Sequence, residues 1–198
     1  MKKNKFLITQ SLLSSYAWAF KKEDGYNDFI NALKRKRTPP SMPMLNGIQF
    51  ENMVTAYCEG ASPDPKHKWI KGIQGVGDIV KNGAFQVKLS RNIVIDGIEF
   101  VLYGILDALK CGTIYDIKFS QTYKHGKYFD SPQHPMYFKL CPEAKRFTYL
   151  ISNGKDVFKE TYYPDDIVPI EKEISEFMAF VDERNIVDLY TENWKSKY

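Results

Sequence analysis

Two alternating apolar runs, Glu99–Leu109 and Thr113–Ser120, are separated only by Lys110, Cys111 and Gly112. So short a joint makes them antiparallel neighbours, because parallel strands need a crossover of a dozen or more residues. With Cys111-Gly112 as a two-residue turn, Lys110 faces Thr113, Leu109 faces Ile114, Ala108 faces Tyr115 and Asp107 faces Asp116. Cys-Gly is not a favoured turn dipeptide, and another register would change these pairs. Alternation sends Tyr115, Ile117 and Phe119 to a core face and Ile114, Asp116 and Lys118 to the other. Directly opposed residues share a face about 5 Å apart, and opposed like charges destabilise a sheet. A proton on one carboxyl, an ion pair with Lys118, or a divalent cation would each offset the repulsion. Hard carboxylate oxygens suit Mg²⁺ or Mn²⁺. The plain alternative is a solvent-facing hairpin whose Asp and Lys are merely exposed.

The spacing elsewhere predicts one α/β domain over residues 1–198 without a linker. Residues 1–81 read as a mainly helical wall. Leu12, Leu13, Tyr16 and Phe20 mark a helix over Leu7–Phe20. Tyr26–Arg37 is a second, stopped by Pro39-Pro40, and Lys34–Arg37 reads as its solvated basic end. Met44–Glu59 is a third, and His67–Lys81, loosened by Gly72, Gly75 and Gly77, a fourth. Residues 82–163 carry the sheet: Ala84–Arg91, the two runs above, a helix over Ser131–Cys141, then Arg146–Ser152 and Asp156–Tyr163 joined by Asn153-Gly154, a strong hairpin signal. Residues 164–198 read as helices divided near Asn185. The expected architecture is a central mixed sheet of about five strands flanked by helices, with a helical N-terminal region.

Composition narrows the function little. A net charge of +4 permits a phosphate-bearing partner without requiring one. Three scattered cysteines, Cys58, Cys111 and Cys141, lack metal spacing and an even count, and read as reduced thiols. No run approaches the roughly 20 apolar residues of a membrane span, and the basic N-terminus lacks a cleavage site. A soluble cytoplasmic protein, bacterial or from a phage-infected cell, is expected. Gly72–Gly77 lacks the Gly-Lys-Ser/Thr ending of a phosphate-binding loop.

Four motifs in order carry a resemblance: Gly47-Ile48-Gln49-Phe50-Glu51 on a helix, Gly104-Ile105-Leu106-Asp107, Asp116-Ile117-Lys118, and Gln133-His134-Pro135-Met136-Tyr137. The chain resembles the PD-(D/E)XK nuclease superfamily, in particular RecB-like and phage-type exonucleases, over roughly Leu7–Tyr163. The opening "ITQSLLSSY" is weakly similar as well. The RecB branch usually has His where this chain has Glu51; other branches place an acid there. The resemblance implies a restriction-endonuclease-like core and metal-dependent phosphodiester hydrolysis on DNA, in recombination, repair or phage DNA processing. It implies Asp107, Asp116, Glu51 and the Ile117 carbonyl as ligands of Mg²⁺, for which Mn²⁺ can substitute. Lys118 would orient the attacking water or offset phosphate charge, and Gln133 and Tyr137 would touch phosphate or fix Lys118. His134 is not required by the motif. With three scattered cysteines, no iron–sulfur cluster is expected. DNA is the expected partner, with a homo-oligomer or a recombination protein as further partners and no membrane. A structure-specific or restriction-like endonuclease and a catalytically inactive DNA-binding subunit of the same fold remain the alternatives.

Overall fold

A computed structural model describes residues 5–19, 21 and 24–196. In chain order these form β1 (Phe6–Thr9), α1 (Gln10–Trp18), α2 (Gly25–Leu33), α3 (Met42–Cys58), α4 (Ile70–Val80), β2 (Ala84–Ile95), β3 (Ile98–Lys110), β4 (Thr113–Phe119), α5 (Gln133–Leu140), β5 (Arg146–Ser152), β6 (Val157–Tyr162), α6 (Ile170–Glu183) and α7 (Val187–Asn193). The fold is mixed α/β, with a central mixed sheet between helices.

The sheet has six strands, the five marked by the sequence and one more. The additional one is β1, which overlaps the start of the span that the periodicity assigns to a helix. Phe6–Thr9 pairs in parallel with Phe100–Tyr103. Thr9 then caps α1, its hydroxyl accepting from the Leu12 N–H at 3.3 Å. The pairing partner is about ninety residues away in sequence, so no local period reports it. Phe20 lies outside the described residues.

Other boundaries also move. The second helix ends at Leu33, and Arg35 takes a left-handed conformation (φ 51°) with its guanidinium 4.2 Å from the Trp194 ring centroid. α5 starts at Gln133, which puts Pro135 at the third helical position. No N–H there has an intrahelical partner to lose, so the proline costs no helix hydrogen bond.

The hairpin turn over Cys111-Gly112 is as expected. Both residues have positive φ (49° and 70°), the geometry of a primed two-residue turn. Lys110↔Thr113, Leu109↔Ile114 and Ala108↔Tyr115 all pair. Beyond that the two strands part, and Asp107 does not pair with Asp116.

This parting organises the molecule. One edge of β3 pairs with β2 from end to end. Its other edge pairs with β1 over 100–103 and with β4 over 108–110. Residues 104–107 therefore face a fork with no strand partner on that side. β4 meanwhile pairs in parallel with β5, and β5 antiparallel with β6.

Both faces of the sheet are covered, in contrast to the one core face that alternation suggests. Leu13, Phe29, Phe100, Leu102, Tyr149 and Phe177 belong to the larger core, on the side of α1, α2, α5 and α6. Phe50, Val54, Trp69, Ile73, Ile117 and Leu150 form the smaller one, beneath α3 and α4. Each fully buried side chain of this size contributes roughly 1.5–3 kcal/mol. Strand β5 alternates between them, Phe147, Tyr149 and Ile151 to the larger core and Leu150 to the smaller.

Candidate active site

An open fork leaves backbone groups to satisfy, and buried ones must find partners. Two side chains supply them. The Ile117 N–H donates to Asp107 Oδ2 at 2.8 Å, and the Tyr137 hydroxyl donates to the Ile105 carbonyl at 2.8 Å. Tyr137 reaches β3 because Gly104 has no side chain: a Cβ there would lie 2.4 Å from the tyrosine Cε1. Gly104 and Tyr137 thus act as one device, which holds α5 against β3.

The fork gathers charges from both faces of the sheet. Asp116 is 3% exposed on β4, and Lys118, two residues on, puts its ammonium 2.8 Å from Asp116 Oδ2. The Gln133 amide donates to Asp116 Oδ1. Oδ2 is buried, with the Lys118 ammonium as its partner. Glu51 enters from α3, on the side of the smaller core, and accepts from Gln86 Nε2 at 2.8 Å.

Three carboxylates face one lysine, and the balance is visible in their acidities. Burial pushes Asp107 well above the usual aspartate range, and the Asp116 and Glu51 charges push it further against Lys118 and the Ile117 N–H. Burial also raises Asp116, with Lys118 and Gln133 opposing. Glu51 is raised by burial and then by Asp116, with Gln86 and Lys118 opposing. Burial disfavours the Lys118 ammonium, but the two aspartates more than offset it, so its pKa is raised and it carries its proton.

The sequence motifs converge as follows. Asp107, Asp116 and Lys118 meet at the fork, and Glu51 lies near enough to act on both aspartates electrostatically. Gln133 and Tyr137, expected at the substrate, are each 6% exposed and spend their polar groups on Asp116 and Ile105. They position the site from behind. His134 lies deeper still, stacked on Tyr162 at 4.0 Å, and burial lowers its pKa to about 4, so it is neutral at pH 7.

Periodicity alone left two residues unmarked. Gln86, which holds Glu51, has φ 50° near the start of β2, where the ladder with β3 skips a pair. The signal for it is Asp96-Gly97, a favoured two-residue turn dipeptide between Ile95 and Ile98: counting outward from it sets Gln86 opposite Asp107. Glu160 on β6 is 3% exposed and binds the 121–131 loop. It accepts from Tyr123 Oη at 2.7 Å, Gly126 N at 3.2 Å, Tyr128 N at 3.1 Å and the Tyr162 hydroxyl. No short motif contains it.

Among the described residues, no group of three His, Cys, Asp and Glu side chains is placed to hold a metal ion. Mg²⁺ does not need one: it is ordinarily bound by one or two carboxylates, with water and substrate phosphate filling its octahedron. Asp107 and Asp116 fit that pattern: two buried carboxyls share one lysine, and a bound cation would offset the rest of their charge. A residue's N–H and C=O point to the same edge of a strand, so the Ile117 carbonyl also faces the fork. The oxygen donors therefore fit a hard divalent ion shared by two aspartates, with Glu51 held aside by Gln86.

No helix among the described residues is long and apolar enough to cross a membrane. No protein-family model matches the chain, and no curated protein matches it. Among solved structures it is similar to the crystal structure of SSO0001, at a TM-score of 0.57 and 13% identity, over 91% of this chain and 79% of that one. At that identity the likeness shows a shared α/β fold.

Proposed function

We propose that the chain is a metal-dependent nuclease that hydrolyses phosphodiester bonds in DNA, as its resemblance to the PD-(D/E)XK superfamily implies. The observation that carries the reading is the fork itself, where the buried Asp107 and Asp116 are brought together with Lys118 and one ammonium serves both carboxyls.

Asp107 and Asp116 would hold Mg²⁺, which when bound polarises the phosphate and lowers the pKa of a water. Lys118 sets a fixed positive charge beside the reacting phosphate, where negative charge builds as the water oxygen attacks and the bond to the departing sugar oxygen lengthens. Gln133 fixes Asp116, and Tyr137 fixes the β3 edge beside Asp107. The Glu51 charge pushes the Asp107 pKa further up.

The test is cleavage of linear and covalently closed DNA, single- and double-stranded, in Mg²⁺ and in Mn²⁺. Digestion of linear but not closed DNA is expected, with at least a roughly 100-fold loss in Lys118→Ala. Nicking or cutting of closed circles would instead favour an endonuclease. Binding without cleavage under every condition would overturn the nuclease and leave a DNA-binding subunit.

A further inference from the structure

A cavity of about 300 Å³ opens beside Lys118 and Gln133, at the lower end of the range for ligand sites. One wall is a single face of α1. Gln10, Ser14, Ala17 and Trp18 recur there at helical spacing, and the first three are small or polar. The far wall is the loop that Glu160 anchors, presenting Lys127 and Tyr128. Tyr128 is itself fixed, stacked on Tyr149 at 4.4 Å.

The chemistry of this wall is selective. Three lysines, Lys21, Lys118 and Lys127, border the cavity against one acid, Asp130. The neighbouring depression beyond Asp130 is bordered by Glu173, Glu176 and one lysine, Lys172, so cations do not outnumber acids there. Trp18 is 55% exposed, whereas the other two tryptophans, Trp69 and Trp194, are 4% and 7% exposed. Lys21 lies 5.5 Å from the Trp18 ring centroid, so a flat apolar surface and a cation stand together at the rim.

We infer that this cavity is the binding site for one unpaired nucleotide of a single DNA strand, with its base stacked on Trp18 and its phosphate between Lys21 and Lys127. The inference rests on the nuclease reading, for which it names the substrate form: an unpaired strand, led along α1 to Lys118. Stacking suits any base because every base has a π-face, and the lysines supply the charge that follows the backbone. A base held in a duplex has both faces covered and cannot use the indole.

Trp18 is also the probe. In EDTA, to prevent cleavage, the full chain is titrated with a short oligodeoxythymidylate, and tryptophan emission and iodide quenching are followed alongside oligonucleotide anisotropy. The oligonucleotide is expected to shift the emission and shield Trp18 from iodide, with no such change in Trp18→Phe. Trp18→Ala should weaken binding about tenfold, the equivalent of one lost stack. Lys21→Ala and Lys127→Ala should each lower the salt slope of binding by about one unit. Iodide access unchanged at saturating oligonucleotide would overturn the inference, as would equal shielding by a blunt duplex. Cleavage with a silent Trp18 would refute the pocket and leave the nuclease standing. Trp18 shielding without cleavage in any metal would support the pocket and refute the nuclease.

Discussion

Asp116 and Glu160 are equally buried, at 3% exposure, and stand in one row across the sheet, each paired to Tyr149 from opposite sides. Two strand spacings, about 10 Å, separate them. Their surroundings are opposite. Glu160 receives four donors, and although burial raises its pKa, the bonds from Tyr162, Tyr123, Tyr128 and Gly126 outweigh that and hold the carboxyl below the usual glutamate range. Asp116 has one lysine, one amide and two acidic neighbours, and lies above its range. Burial is therefore no guide to role. The balance of partners separates them: the four donors to Glu160 outweigh its burial, and the partners of Asp116 do not.

The largest break in this contrast comes from Glu160→Gln. An amide cannot accept at its nitrogen, so two of four donors lose their partner. Unfolding in denaturant should show a loss of about 3 kcal/mol, with the 121–131 loop loosened in hydrogen exchange. A loss below about 0.5 kcal/mol would show that the loop is held by other means.

Asp107→Asn should act in the opposite direction. It removes one of three crowded carboxylates and keeps an oxygen for the Ile117 N–H. Stability should rise by about 1 kcal/mol while cleavage is lost, the usual exchange at a strained functional site. A destabilisation of the size seen for Glu160→Gln would instead make Asp107 a structural acid.

Acid sharpens the same comparison with smaller effects. The Glu160 pKa is depressed in the fold, so its contribution is complete above its unfolded value of about 4.3 and fades as pH falls through the lower folded value. The gap between wild type and Glu160→Gln should close in that window. The Asp107 pKa is raised, so its penalty is absent below about pH 3.9 and grows as pH rises towards the folded value. The gap between wild type and Asp107→Asn should open with rising pH. Unfolding curves at several pH values check both signs.

How much of this was legible beforehand depended on the range of each contact. The Cys111-Gly112 turn and the pairs next to it follow from alternation over a few residues, and the structure has them. The fork does not follow, because β1 competes for the same edge of β3 from about ninety residues away. That competition parts β3 from β4 beside Asp107 and converts a supposed Asp107–Asp116 pair into an aspartate capping the Ile117 N–H. Gly104 and Tyr137 appear in sequence as separate motif letters, and only packing reveals them as one contact. Glu160 escaped notice because its four donors come from two segments and no spacing links them.

The most direct test is calorimetric unfolding with and without Mg²⁺, on wild type, Asp116→Asn and Glu160→Gln. Ligand at about 100 times its dissociation constant stabilises the fold by about 2.7 kcal/mol, which at this chain length raises Tm by several degrees. That rise is expected in wild type, its disappearance in Asp116→Asn, and its persistence in the less stable Glu160→Gln. Equal Mg²⁺ responses in wild type and Asp116→Asn, or no response in wild type to either Mg²⁺ or Mn²⁺, would contradict a metal site at the fork.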